Sequence, residues 1–166
     1  MSKPRVFWPL AALLVLADCT TKEIALDRLG PAYGSHEVFG SLLQFTLVYN
    51  PGTAFGFDLQ PWLGGWTRPV LIAAMLVMLA FLALLYRRAG RSELVAAMAL
   101  ALVCGGAVGN LLDRVRFAQG VVDFIDVGIG PHRFWVFNVA DAGITVGALL
   151  LALILARDER SRLFTG

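Results

Sequence analysis

The sequence predicts an integral membrane protein, mainly α, with four transmembrane helices and a small β-sheet cradle on the outer membrane surface. Three observations carry this reading. Apolar residues make up 58% of the 166-residue chain and charged residues 16%, against about 45–50% and about 25% in soluble domains. The apolar excess is gathered into four blocks, at about 6–26, 69–86, 94–112 and 139–156. Each is close to the ~20 residues that cross ~30 Å of hydrocarbon at ~1.5 Å per residue. Two links, at 27–68 and 113–138, are instead rich in strand-forming and aromatic residues. At this length the whole chain, 1–166, reads as one membrane-embedded unit.

The first block holds an uninterrupted apolar run only from Phe7 to Ala17. That run is too short to cross alone, so the helix must continue through Asp18, Thr20, Thr21, Lys22 and Glu23. Asp18 and Lys22 are four apart with the acid first, the favourable order on one helix face. Charged groups inside a span either pair in the bundle interior or serve function. The pair is a structural ion pair, or else Lys22 orients a substrate or a catalytic carboxylate. The basic start, the apolar run and Cys19 imitate a lipoprotein signal peptide. Asp18 argues against it, standing where a small uncharged residue is needed, and three more apolar blocks follow.

In the first link, Gln44–Tyr49 reads as a strand closed by the turn residues Asn50-Pro51-Gly52. Trp62 and Trp66, like Trp135 in the second link, suit an aromatic belt at the outer interface. Lys3, Arg5, Arg87, Arg88, Arg91, Arg157, Arg160 and Arg162 crowd the short flanks of the blocks. Lys22, Arg28, Arg68, Arg114, Arg116 and Arg133 are spread over far more chain. The positive-inside rule then places both termini in the cytoplasm and both long links outside.

The third block ends in Gly105-Gly106-Ala107-Val108-Gly109-Asn110-Leu111-Leu112-Asp113-Arg114. Gly105 and Gly109 form a small-xxx-small pair that admits a neighbouring helix or a substrate backbone. Asn110, Asp113 and Arg114 stand at i, i+3 and i+4 and share a face. Val121–Val127 is a second strand, carrying Asp123 and closed by Gly128-Ile129-Gly130-Pro131. The fourth block opens at Asn138-Val139-Ala140-Asp141, with Asp141 in a first turn where the helix dipole favours negative charge. Capping alone accounts for Asn138 or Asp141 taken singly. The connection lengths allow Asp123 to return beside Asp141.

Gly106–Arg114, Val122-Asp123-Phe124 and Phe137–Asp141 closely resemble signature segments of the lipoprotein signal peptidase family (signal peptidase II, membrane aspartic peptidases). Asp18 with Lys22, and Asn50–Gly56, resemble two further motifs of that family in the same order, so the likeness covers nearly the whole chain. The resemblance implies a multi-pass enzyme of the bacterial cell inner membrane with its active site at the outer face. Its implied reaction removes the signal peptide from diacylglyceryl-modified prolipoproteins, cutting just before the lipidated cysteine. Asp123 and Asp141 match the catalytic pair. Asp18, Lys22, Asn50, Gly52, Gly106, Asn110, Asp113, Arg114, Asn138 and Ala140 match residues that bind or support. Membrane lipid and cyclic peptide inhibitors of the globomycin type are further implied partners. Pro51 and Thr53 sit at the loose end of the pattern and bear on the shape of the outer loop.

The residue chemistry agrees. Peptide hydrolysis needs an activated water and a proton donor, and Cys104 is mid-span while His132 lies on a different link, so the two do not form a nucleophile–base pair. Two carboxylates sharing one proton supply both functions, because like charges ~3 Å apart cannot both ionise easily. Cys19 and Cys104 lie in separate apolar stretches without C-x-x-C spacing, which predicts neither a disulfide nor a redox centre. His36 and His132 are too few for a histidine metal cage, so no metal and no cofactor is predicted. A net charge of +2 without a basic aromatic stripe excludes nucleic acid. The alternative is a small proton-coupled transporter, since intramembrane acids also mark ion paths. Transporters, however, place such acids near the midplane of repeated halves. A metal-dependent lipid phosphotransferase would need its acids grouped on one helix.

Overall fold

A computed structural model describes residues 2–30, 35–52, 59–89 and 93–165, without the side chains of 158–165. Arg91 and residues 53–56 of the Asn50–Gly56 motif lie outside the described residues. In chain order the elements are α1 (Lys3–Arg28), β1 (His36–Phe39), β2 (Leu43–Asn50) and α2 (Gln60–Leu63). A 3₁₀ turn (Gly64–Trp66) then leads into α3 (Thr67–Arg88), α4 (Leu94–Arg116), β3 (Val121–Ile129), β4 (His132–Arg133) and α5 (Val139–Thr165).

Each predicted block lies in a long helix. Among the described residues, three helices are long and apolar enough to cross a membrane: Gln60–Arg88, Leu94–Arg116 and Val139–Arg157, with mean hydropathies of 2.6, 2.0 and 2.2. The first predicted block, in α1, is not among them. The 26-residue α1 has the length, but Asp18, Lys22 and Glu23 dilute its apolar half, and two of them are buried in an ion cluster described below. The long links are also shorter than expected, because α4 continues to Arg116 and takes Asp113 and Arg114 into its last turn.

Helix α4 is the centre of the bundle, packed against α5, α1 and α3. Its glycines explain why. A methyl group at Gly105 would stand 2.9 Å from Ala11 O of α1, one at Gly109 would strike Asp18 Oδ2, and one at Gly106 would strike Ala140 O of α5. The expected Gly105/Gly109 pair therefore admits α1, and Gly106 admits α5, by letting backbones come close. At one end of the bundle Phe7, Leu82, Leu100 and Ala101 form a buried cluster. There Lys3 Nζ donates to Tyr86 O at 2.5 Å and Ala89 O at 2.6 Å, satisfying carbonyls that the end of α3 would leave unpaired.

The other end carries the sheet, ordered β1-β2-β3-β4 with every pair antiparallel. Ala25 of α1 and Leu29 just beyond its end pack beneath Phe124, with Phe45, Leu47, Ile125 and Val139 around them. The two predicted strands pair as neighbours, with Val48 opposite Asp123 and Gln44 opposite Asp126, across an irregularity between Phe45 and Val48. The predicted closing turn is corrected. Gly128 and Ile129 belong to β3, because they pair with Arg133 and His132. Strands β1 and β4 were not predicted, being four and two residues long, too short for alternation to register. Gly120, at φ +118°, opens β3. A side chain there would run into Asn50 O, so only glycine lets β3 begin beside that residue.

Candidate active site

The end of α4, the start of α5, the interior of α1 and two strands bring polar side chains together beneath the sheet. Asn138 stands just before α5 and Asp141 in its first turn. The Asp141 N–H donates to Asn138 Oδ1 at 2.9 Å, and the Asn138 N–H reaches back to Asp141 Oδ2 at 3.3 Å. This reciprocal pair is a capping box with Asp in the acidic position. Capping is therefore real, yet it uses only part of each side chain. Asn138 Nδ2 also donates to Asp123 Oδ1 at 2.7 Å, so one amide touches both aspartates. Asn50 at the end of β2 donates to the other Asp123 oxygen at 3.1 Å. Asn110 of α4 donates to Asp141 Oδ1 at 2.8 Å.

Behind this pair lies a buried cation. Lys22 Nζ is 2.7 Å from Asp18 Oδ2 and 2.8 Å from Asp113 Oδ2, and it donates to Asn110 Oδ1 at 3.0 Å. Three oxygens, two of them on carboxylates, thus surround its charge. Asp18 Oδ1 accepts the Ala140 N–H at 2.9 Å, and Asp113 Oδ2 accepts the Val122 N–H at 3.0 Å. The ion cluster therefore ties α1 and α4 to the start of α5 and to β3. Arg114 is buried and donates to Gly52 O, approaching Pro51 O at 3.5 Å. The Gly52 N–H in turn donates to Asn50 Oδ1 at 3.0 Å, an Asx turn that fixes the strand exit.

Asp123 is 2% exposed. Burial first, and then the charge of Asp141, push its carboxyl up to about 7, against the hydrogen bonds from Asn50 and Asn138. Charge balance explains the direction. Asp18, Asp113, Asp123 and Asp141 face two cations, Lys22 and Arg114. Holding one proton on the aspartate pair halves that excess. Asp141 is only half-buried, so water reaches the pair from its side.

Residues 10–157 match the family described as Signal peptidase (SPase) II. The chain is 42% identical over 156 residues to the lipoprotein signal peptidase of Geobacter metallireducens, covering 94% of this chain and 93% of that protein. It is 39% identical over 158 residues to that of Pseudomonas putida, at 95% and 91% coverage. The chain belongs to the signal peptidase II family. It is a peptidase and a membrane protein, which sets aside the transporter and phosphotransferase readings. The peptidase also aligns with a bacterial membrane enzyme solved by the in meso method at 2.3 Å resolution. That match has a TM-score of 0.77 at 31% identity and covers 90% of this chain and 87% of the other.

All twelve residues picked out from the sequence meet in or against this network. Ala140 supplies an N–H, Gly52 a carbonyl, and Gly106 the clearance for α5. Asp18 and Lys22 are 0% and 2% exposed, which places them behind the aspartates. Asp126 stands apart, bound to Arg133 Nε at 2.8 Å and to Thr46 Oγ1 at 3.2 Å. Two participants escaped the sequence reading. The Val122 backbone donates to Asp113 and accepts from Asn138, which nothing in its side chain announces. Arg68 was counted only as an outer charge. A cation at a helix N-terminus opposes the dipole, a sign that it is used elsewhere.

Arg114 and Arg116 separate cleanly. Arg116 is exposed and pairs with Glu23 of α1, rather than reaching for headgroups, and exposed pairs contribute little. Arg114→Ala is expected to lower cleavage at least a hundredfold and Arg116→Ala less than threefold, measured as kcat/KM on the same precursor. Equal losses would show that the polar face has been misassigned.

Proposed function

We propose that this peptidase removes the signal peptide from diacylglyceryl-modified prolipoproteins, cutting just before the lipidated cysteine, with Asp123 and Asp141 as its catalytic pair. The observation that carries the reading is Asn138, whose side-chain amide donates to the Asp123 carboxylate of β3 while its backbone N–H reaches the Asp141 carboxylate of α5, at the sheet end of the bundle. In the proposed reaction the ionised aspartate takes a proton from water as the water oxygen attacks the scissile carbonyl. The protonated aspartate gives its proton to the carbonyl oxygen. Collapse of the tetrahedral diol breaks the C–N bond as the leaving amine takes the proton that the first aspartate gained and the second aspartate takes one back from a diol hydroxyl. No metal takes part.

In this reading the chain is one unit that crosses the inner membrane four times, since α1 packs along α4 and its charges are buried against protein rather than lipid. Both termini face the cytoplasm, and the sheet and the aspartates lie at the outer face. The substrate acyl chains stay in hydrocarbon and set the depth of the scissile bond. Cyclic peptides of the globomycin type are expected to compete for the same aspartates. Orientation is checked in a Cys19→Ala/Cys104→Ala background. A cysteine at Ser35 is expected to react with an impermeant thiol reagent on intact cells, and one at Ser92 is not. The reverse pattern puts the site on the wrong side for a secreted substrate.

The reaction is tested with purified protein, a lipid-modified precursor and the same precursor unmodified, with the released peptide weighed by mass spectrometry. Cleavage before the modified cysteine only, indifferent to chelator, is expected. Equal cleavage of the unmodified precursor removes the lipid from the recognition step, and loss on chelation removes the aspartate mechanism. A pH profile adds a second check. A pair whose raised member titrates at about 7 keeps its single proton below that value and loses it above. Hence kcat/KM is expected to fall through about pH 7 and upward, with apparent values that belong to the pair. Asn50→Ala removes a hydrogen bond to the ionised form, which should move that falling limb to higher pH.

A further inference from the structure

Helix α4 ends inside the site, and its last carbonyls have to be satisfied by something. The Phe117 N–H donates to Asp113 O at 2.7 Å. The next two carbonyls are taken by one side chain from another helix. Arg68, in the first turn of α3, donates Nε–H to Arg114 O at 2.7 Å and an Nη2 hydrogen to Val115 O at 2.9 Å. The planar guanidinium suits this paired task, which a lysine ammonium reproduces only in part. Arg68 pays a helix-dipole penalty at its own position to do it.

The residue thus held is Arg114. Its backbone carbonyl is fixed by Arg68, while its side chain holds Gly52 O and Pro51 O. Its charge acts on Asp123, Asp141 and Asp113. Both ends of the connection between β2 and α3 therefore converge on one residue of α4. The 51–52 end meets the Arg114 side chain, and the 68 end meets its backbone. A cavity of about 190 Å³ lies between them, lined by Pro51, Gly64, Thr67, Arg68, Arg114 and Gly120 among others. On that side the Arg68 hydrogen bonds hold the α4 terminus across the cavity, while Asp113 and Arg116 are held from α1 and Asp113 also from β3.

We propose that Arg68 is a positioning residue for the cleavage reaction: by pinning Arg114 O and Val115 O it keeps the Arg114 guanidinium set toward the aspartate pair and the Gly52 carbonyl. The inference builds on Asp123 and Asp141 as the catalytic pair. Arg68 does not touch substrate. It acts through the location of a positive charge, so its removal has a signature beyond lost stability. The charges facing the pair are Arg114 and Asp113 from α4 and Lys22 from α1, and of these only Arg114 is held by Arg68. When Arg114 moves away, the ionised form of the pair loses a favourable charge, so its first proton is released at higher pH.

The test compares wild type, Arg68→Gln and Arg68→Lys as intact protein in the same lipid mimic, reading kcat, KM, the acid limb of the pH–kcat profile and the unfolding temperature. Arg68→Gln is expected to lower kcat about tenfold with KM within twofold, and to shift the acid limb upward by several tenths of a pH unit. Arg68→Lys, which keeps one of the two donor contacts, should recover part of both effects. A merely structural cap would lower the unfolding temperature and the active fraction while leaving the acid limb in place, and that result overturns the proposal. So does an unchanged kcat. Should Arg68→Gln fail to fold, Arg68→Lys decides alone, an unmoved acid limb counting against. The underlying aspartate reading is judged separately, by whether Asp123→Asn abolishes wild-type cleavage.

Discussion

Asp123→Asn and Asp141→Asn are each expected to reduce turnover of a lipid-modified precursor by several orders of magnitude, and the double variant should be little worse than either. Asparagine preserves size and much of the hydrogen bonding but cannot carry the proton that passes between water, pair and leaving amine. Two groups acting as a unit are lost together when either is lost, so their effects do not add. The surroundings make the substitutions informative. Asn50 and Asn138 both donate to Asp123. An amide there can still accept one of these hydrogen bonds but meets the other with its own N–H, a local cost that leaves the fold intact. Binding of the precursor should survive, measured with a fluorescent lipopeptide. Asp126→Asn is the control. It loses an ion pair with Arg133 on a different part of the sheet, costing some stability and no chemistry. Near-normal cleavage by a folded Asp123 or Asp141 variant ends the proposed mechanism.

Lys22→Met should be the most destabilising single change in the bundle. The lysine stands between Asp18, which is 0% exposed, and Asp113, which is 6% exposed. Removing it leaves two carboxylates buried against each other without a counter-charge. Breaking a buried pair from one side costs about 3–5 kcal/mol, and here one deletion breaks two. Asp18→Asn should be milder. The amide can still accept the Ala140 N–H, and Lys22 keeps Asp113 and Asn110. Thermal unfolding in a fixed detergent orders the variants: wild type, then Asp18→Asn, then Lys22→Met. The same deletion frees Asn110, whose amide donates to Asp141, so activity should fall further than the folded fraction explains. A Lys22→Met protein that melts with wild type would show that the cluster is solvated and structurally idle.

Periodicity and composition were enough to place α3, α4 and α5, because a block that must shed water over its whole length leaves an unbroken apolar run. They were enough for β2 and β3 too, whose branched and aromatic residues end at turn signals. Shared faces were equally legible. Asp18 with Lys22, and Asn110 with Asp113 and Arg114, follow from the 3.6-residue turn alone, and both sets are buried together as that spacing requires. The status of α1 was not legible in that way. Its charges lower its apolarity, and only the positions of Asp113, Asn110 and Ala140 show that protein groups answer them. Strands β1 and β4 are too short to carry a period and exist only because β2 and β3 offer them hydrogen bonds.

Local spacing was enough to show which side chains carry reactive groups and which helix faces they share, since local geometry follows from it. Long-range packing was needed to bring Asn138 against Asp123 as well as Asp141, to set Lys22 between acids of two helices and to close the end of α4 with Arg68. The long-range contacts among these link residues 15, 46 and 91 positions apart. They depend on how far the glycines of α4 let α1 and α5 approach, a packing outcome that no local pattern encodes.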